Sequence, residues 1–239
     1  MPRLRADISG KRLRELVEAA LGVFCRQGYE RAQVADVAKV MGVAVGTIYL
    51  YVEGKEALFD LVIRHTATED PEWLDDIEIP VVAPAPGSTV EFLRGVFGRE
   101  GQWPLLEAGL RRRKASDIRI ELDGIVREQY RLMTRHRRGL VLLTRSALEF
   151  PGLAEVFVLG LRQRLLEGLA KYLTSRIAVR QVRPLADVAA TAAVLTQTIA
   201  WANLQRPVDP GLSRLSEQTV EDATVDLIVS GLLTNPAKP

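Results

Sequence analysis

The chain of 239 residues has one cysteine and two histidines. A single thiol cannot close an internal disulfide, and with only two imidazoles beside it there is no basis for a zinc centre. Nucleophilic catalysis needs a nucleophile, a base and a group that orients the base; those ingredients are scarce, and no glycine-rich phosphate loop is present. Cys25 falls at a small core position of the first helix, which argues against a reactive thiol. No catalytic residue, metal ligand or cofactor is therefore expected, and the chain is not expected to be an enzyme. Long apolar runs are absent too: none approaches the roughly 18 residues of a membrane span. The opening residues Met1-Pro2-Arg3-Leu4-Arg5-Ala6-Asp7 carry no apolar targeting core. A cytoplasmic protein with no membrane partner is expected.

Charge of one sign is also lacking, with 32 Lys+Arg against 30 Asp+Glu. The balance is uneven along the chain. Residues 1–55 carry a net charge of +3 and the remainder −1. That permits a nucleic-acid surface at the N-terminal end without demanding one. What the chain does have is ordinary globular composition, 47% hydrophobic and 26% charged. A chain of this size buries about 70% of its unfolded surface, enough for a core without staples.

Helical periodicity dominates. Leu13, Leu16, Val17, Ala20, Leu21 and Phe24 recur at three- and four-residue spacing, with Ser9 as a plausible N-cap and Gly28 as the stop. Short helices follow over about 34–41 and 44–51, separated at Gly42, and a fourth starts after Gly54. Residues 69–88 change character. Glu69, Asp70, Glu72, Asp75, Asp76 and Glu78 occur without a base, and Pro80, Pro84 and Pro86 forbid a helix. So long a connector is either a lid or a disordered loop. Beyond it the spacing predicts helices near 89–98, 103–114, 117–147, 152–178, 185–204 and 217–233. Val156-Phe157-Val158-Leu159 is strand-like alone, but its flanks fit a helix. No run of alternating residues calls for a sheet, so the fold is expected to be all-α.

The chemistry concentrates in residues 29–58. Two short helices meet at a tight turn, and Val37, Ala38, Met41, Val43 and Ile48 can share a small core. This is a helix-turn-helix, whose second helix can enter a major groove about 12 Å wide. Its outer face would show Val45, Gly46, Thr47, Tyr49 and Tyr51. Gly46 lets backbone approach the duplex, Thr47 offers a hydroxyl and a methyl, and the phenols can donate to phosphate. Lys55 opens the next helix, where its ammonium and the unpaired N–H groups both favour an anion.

Residues 9–58 resemble the N-terminal domain of the TetR family of transcriptional regulators. The resemblance is carried by Ala20, Phe24, Gly28-Tyr29, Val37-Ala38, Gly42-Val43, Gly46-Thr47-Ile48-Tyr49, Tyr51 and Lys55-Glu56-Ala57-Leu58, in order and at family spacing. Departures are Ala32-Gln33 and Ala44, where the family usually has hydroxyls, and Val52 in place of Phe. The resemblance implies a DNA-binding domain over 1–55 and a helical ligand-binding and dimerisation domain over 56–239. It implies operator contacts by Gln33, Val45, Gly46, Thr47, Tyr49, Tyr51 and Lys55, and a homodimer on a near-palindromic double-stranded operator. It also implies release by a small lipophilic effector, as expected of a repressor. Arg3 and Arg5 lie on a short basic arm that is either a solvated tail or a minor-groove probe.

In the larger half, Phe97, Trp103, Tyr130, Met133 and Trp201 are the pocket candidates, each otherwise a core residue. Trp103 and Trp201 stand out because each joins a large apolar area to one N–H donor. Helices near 185–204 and 217–233 are the dimer candidates, with small residues Ala189, Ala192, Ala193 and Thr196 on the first and Val220, Ala223, Leu227 and Leu232 on the second. The basic run Arg111–Lys114 is a solvated face or a partner for the acidic 69–78 stretch. Two other readings stay open: a helical protein-binding scaffold with weakened DNA affinity, encouraged by Ala32, Gln33 and Ala44, and an all-helical enzyme built on His65 or His136.

Overall fold

The computed structural model describes residues 2–68, 70 and 72–233, with side chains from residue 10 onward. Among them every named element is helical: α1 (Pro2–Gln27), α2 (Val34–Met41), α3 (Val45–Ile48), α4 (Lys55–Ala67), α5 (Ser88–Glu100), α6 (Pro104–Arg111), α7 (Ile118–Arg135), α8 (Arg137–Ser146), α9 (Gln163–Ala178), α10 (Val188–Ala200) and α11 (Glu217–Leu232). Short 3-10 turns cover Trp73–Asp76 and Arg206–Val208, and wider π-helical stretches cover Glu155–Arg162 and Trp201–Gln205. None of these helices is long and apolar enough to cross a membrane. The chain forms two compact units, Met1–Glu100 with Arg138–Val158, and Gly101–Arg137 with Leu159–Pro239.

In the first unit α1 packs on α2 and α4. Leu13, Leu16, Val17, Ala20, Leu21 and Phe24 are all buried, as their spacing requires, and Val23 joins them. α1 begins at Pro2 rather than after Ser9. Proline is suited to a first helical turn, where its missing N–H is not needed, so the helix runs on through the residues expected to be a cap and a basic arm. The side chains of Arg3, Arg5 and Ser9 lie outside the described residues. At the other end Gly28 adopts φ +81°, and a Cβ there would fall 3.1 Å from the Arg145 carbonyl oxygen. Beyond that turn Phe24, Tyr29, Phe59 and Phe150 form one aromatic cluster, with Phe59 centred 5.0, 4.7 and 5.0 Å from the other three rings. α4 packs in this unit, so the expected division after residue 55 falls inside it.

The connector is ordered where it is described. Leu74 is buried, Asp75 pairs with Arg14, and Trp73 Nε1 donates to His65 Nδ1 at 3.3 Å. Glu69 lies outside the described residues. Residues 111–114 stay exposed, and Arg111 pairs with Glu107 of its own helix.

The second unit is built on α7, α9, α10 and α11 around Leu106, Ile125, Tyr130, Leu169, Tyr172, Leu173, Ile199, Val225 and Ile228. Two expected helices are interrupted. The 117–147 segment breaks at His136, where Thr134 turns its hydroxyl onto the Tyr130 carbonyl at 3.1 Å, a back-bond that bends helices. The 185–204 segment starts later, because Asp187 accepts the Ala190 amide at 2.7 Å and so caps α10. Its last turn widens at Trp201–Gln205, as the 152–178 segment does at Glu155–Arg162 around Gly160. The valine-rich stretch at 156–159 is thus helical. Arg176 is fully buried but satisfied by Glu121, Gly109 and Arg112, which makes it a strut between α9, α6 and α7.

Candidate nucleic-acid interface

α2 opens without a hydroxyl cap. Its Asp36 carboxylate instead accepts the Gln33 amide at 3.0 Å, half of a capping box supplied from inside the helix. Gly42 closes it at φ +67°, and the Val43 amide reaches back to Ala38 O at 3.0 Å. A left-handed residue is required there, which is why the turn needs glycine. Val37, Ala38 and Ile48 are buried as expected, while Met41 and Val43 are half-buried. α3 is shorter than the expected 44–51. Regular helix covers Val45–Ile48, and tighter turns then carry the chain on, with Tyr51 N bonded to Ile48 O at 2.9 Å.

The outer face presents Gln33, Val45, Gly46 and Tyr49 to solvent, with Thr47, Tyr51 and Lys55 half-buried. A Cβ on Gly46 would meet nothing within 4 Å, so this stretch of backbone is open to close approach. Lys55 stands at the first turn of α4. Its Nζ donates to Glu30 O at 3.0 Å and lies 4.5 Å over the Tyr29 ring, which holds the ammonium in place with further N–H donors to spare. Tyr29 in turn donates to Glu56 Oε1 at 3.2 Å; burial, then that carboxylate, pushes its phenol up to about 12. Sequence reasoning missed Leu50, which is 68% exposed, and Val40. Leu50 follows Gly46 by four residues, so the face assigned to Gly46 already pointed to it.

Residues 16–62 match the family described as "Bacterial regulatory proteins, tetR family". Over that N-terminal segment the chain is similar to the TetR family. It is 38% identical over 66 residues to the HTH-type transcriptional regulator LuxR of Vibrio harveyi, which covers 28% of this chain and 32% of that one. It is 48% identical over 42 residues to the fatty acid metabolism regulator protein of Bacillus subtilis, covering 18% and 22%. The chain thus spans about a third of the length of these relatives or less. Over 94% of its length it shares the fold of the ketosteroid transcriptional regulator KstR2 of Mycobacterium tuberculosis, with TM-score 0.55, 17% identity and 96% of that chain covered.

The five pocket candidates do not share one environment. Phe97 belongs to the first unit, 6.1 Å from the Phe157 ring. Tyr130 is fully buried in the second unit, and its hydroxyl donates to Glu217 Oε1 at 3.2 Å. Trp103 and Met133 pack against the same core, half-buried. Trp201 is 50% exposed. Glu217 also receives Arg137 at 2.7 Å and Arg206 at 3.2 Å; burial opposes its ionisation, but Arg137, Tyr130 and Arg206 together hold its carboxyl below the ordinary range.

Two polar groups are buried in this core: Gln129, which the sequence did not mark out, and Thr196, expected on a dimer face but packed inside the unit with Ala192. Gln129 on α7 and Thr196 on α10, two helices in contact, are 4% and 3% exposed. The Gln129 Nε2 and Thr196 Oγ1 atoms have no hydrogen-bond partner. Thr134, Thr174, Thr191 and Thr198 all donate to the carbonyl four residues back; Thr196 does not. A further feature is the outward side of α10 and α11. Ala190, Val194 and Trp201 face solvent on one, Ala223 and Leu227 on the other.

Proposed function

We propose that this chain is a dimeric, ligand-responsive repressor that binds a near-palindromic operator and is released from it by a small lipophilic effector. The observation that carries the reading is the outer face of the helix-turn-helix, where an open Gly46 backbone and the Tyr49 phenol stand next to a lysine held at a helix N-terminus. Val45 and Gly46 lie closest to base edges, Thr47 reads a base or a phosphate, and Gln33, Tyr49, Tyr51 and Lys55 hold the phosphates. Residues 1–55 read DNA, and residues 56–239 bind the effector and the second copy.

Dimerisation through α10 and α11 is supported by Val194 and Leu227, 63% and 67% exposed on neighbouring helices. Burying them against a second copy removes apolar surface from water. The two recognition helices then span one DNA turn, about 34–36 Å, or a multiple of it. The effector reading is supported by Gln129 and Thr196. An uncharged ligand with an oxygen that accepts from Gln129 Nε2, or with a group that pairs with Thr196 Oγ1, satisfies a group that the core leaves unpaired. It releases DNA only as far as it prefers the unbound arrangement.

The test is binding to a duplex from upstream of the coding region at several salt concentrations. Log affinity falls linearly with log salt, with a slope of about 0.9 per phosphate neutralised. Lys55→Ala lowers that slope by about one, and Tyr49→Ala weakens binding to all sequences alike. Binding that is absent, or indifferent to salt, defeats the proposal.

A further inference from the structure

The DNA-reading end of this helix-turn-helix is gripped from outside the motif. Val81 N donates to Tyr51 O at 2.8 Å, and Glu53 N donates to Val81 O at 2.9 Å, so that Val52 and Val81 pair as a short parallel bridge. Ala83 N then donates to the Glu53 carboxylate at 2.9 Å. Three bonds thus fall on Tyr51 and Glu53, all from a segment about 30 residues downstream.

That segment is itself fixed at both ends. At its start Leu74 is buried, Trp73 bonds His65 of α4, and Asp75 pairs with Arg14 of α1. A Cβ on Gly10 would lie 2.5 Å from Asp75 Oδ1, so the approach to α1 is close. At its end α5 begins, and the Thr89 hydroxyl donates to Asp60 Oδ1 of α4 at 2.7 Å in a buried setting. The stretch between is drawn across residues 51–53.

The motif needs such support. α3 has one regular turn, too short to hold its own end, because a nucleus that brief costs more conformational freedom than its few bonds return. α4 then starts at Gly54, which offers no side-chain cap. We infer that residues 72–86 are a clamp that holds Tyr51 in its DNA-contacting position, with Glu53 and Val81 as positioning residues. The inference rests on the DNA-binding reading above. The clamp acts before DNA arrives: a Tyr51 already fixed loses less freedom on binding.

The test uses the full chain, a duplex from upstream of its coding region and a random duplex of equal length. Glu53→Ala removes the acceptor of the Ala83 amide, and Val81→Pro removes the donor to Tyr51. Each weakens binding to both duplexes by about tenfold, on the order of one hydrogen bond, with the thermal midpoint unchanged. Glu53→Gln keeps an acceptor oxygen and restores binding. In a Tyr51→Phe background Glu53→Ala costs less than about twofold, because the group it positions is gone. Losses that add across that pair, or that track a fall in the midpoint, reduce the segment to ordinary structure and overturn the clamp; so does no loss at all. Amide exchange separates the two readings. Slow exchange at Val81 and Glu53 without salt-dependent DNA binding brings down the regulator and the clamp's role together. Fast exchange there, with DNA binding intact, overturns the clamp alone.

Discussion

Replacing Thr196 by valine changes one atom of a buried side chain. Thr196 is 3% exposed, and its buried hydroxyl makes no bond to the carbonyl four residues back and has no other partner. An unsatisfied buried polar group costs about 1–3 kcal/mol. Valine and threonine have nearly equal helix propensity and similar shape, so little is lost in exchange. Thr196→Val is therefore expected to stabilise the protein by about 1 kcal/mol, the low end of that range because the core is already arranged around the hydroxyl. For a chain of this length, that raises the thermal midpoint by about 2–4 °C. The assay is urea unfolding at fixed protein concentration in a Trp73→Phe background, so that Trp103 and Trp201 report the second unit. Gln129→Met is the parallel case on α7 and shifts the midpoint the same way. Both substitutions also blunt release of DNA by the effector, because they delete its polar anchors, and stability gained at the cost of response marks a functional site. An unfolding free energy that falls by about 1 kcal/mol or more, about the worth of a made hydrogen bond, refutes the reasoning, since it means the hydroxyl already has a partner.

Three further outcomes follow from the packing and charge. Phe59→Ala empties the centre of the four-ring cluster and costs about 3–5 kcal/mol, read by unfolding followed at Trp73; a loss below 1 kcal/mol contradicts the cluster's central place. Burial pushes the Cys25 thiol up to about 11, despite Arg138, Arg26 and Arg145 nearby. Its alkylation at pH 8 should run about a hundredfold slower than in the urea-unfolded chain, and equal rates defeat the reading. Glu217 has a depressed folded pKa, so its contribution to stability is present above its ordinary value of 4.5 and is lost as pH falls below it. Glu217→Gln flattens the decline in stability through that window, and an unchanged acid slope rules out the Arg137–Glu217–Arg206 cluster as a contributor.

Much of the first unit was legible in the residues because its information is local. The six apolar residues of α1 need only a 3.6 period to find their face, and Gly42 is demanded by one backbone angle. Where the reading slipped, a tertiary bond or a local competitor decided. α1 extends to Pro2 past a serine that looked like a cap; the 117–147 helix breaks where Thr134 bonds back on itself; α10 starts at Asp187. The connector shows the limit most clearly. Acids without bases and three prolines exclude a helix, yet nothing in 69–88 says that Val81 will pair with Val52. Only the fold brings together residues 29 positions apart in sequence.

The same distinction governs the candidate sites. The proposed DNA-reading surface draws on residues close together in sequence, and Val45, Gly46 and Tyr49 are all exposed. A ligand site in a helical core is assembled from positions far apart, and residue type says little about it. Large aromatics were the natural candidates, but Tyr130 has its hydroxyl engaged by Glu217 and Trp201 faces outward beside Val194. Among the buried groups left without a partner are a glutamine that the sequence did not mark out and a threonine read there as a small residue of a dimer face. Their burial singles them out, and the core bears that cost. Under the proposed function such a defect has a use: an effector that satisfies it would gain binding energy from groups the protein alone does not pair, and a fully satisfied core would offer it nothing comparable.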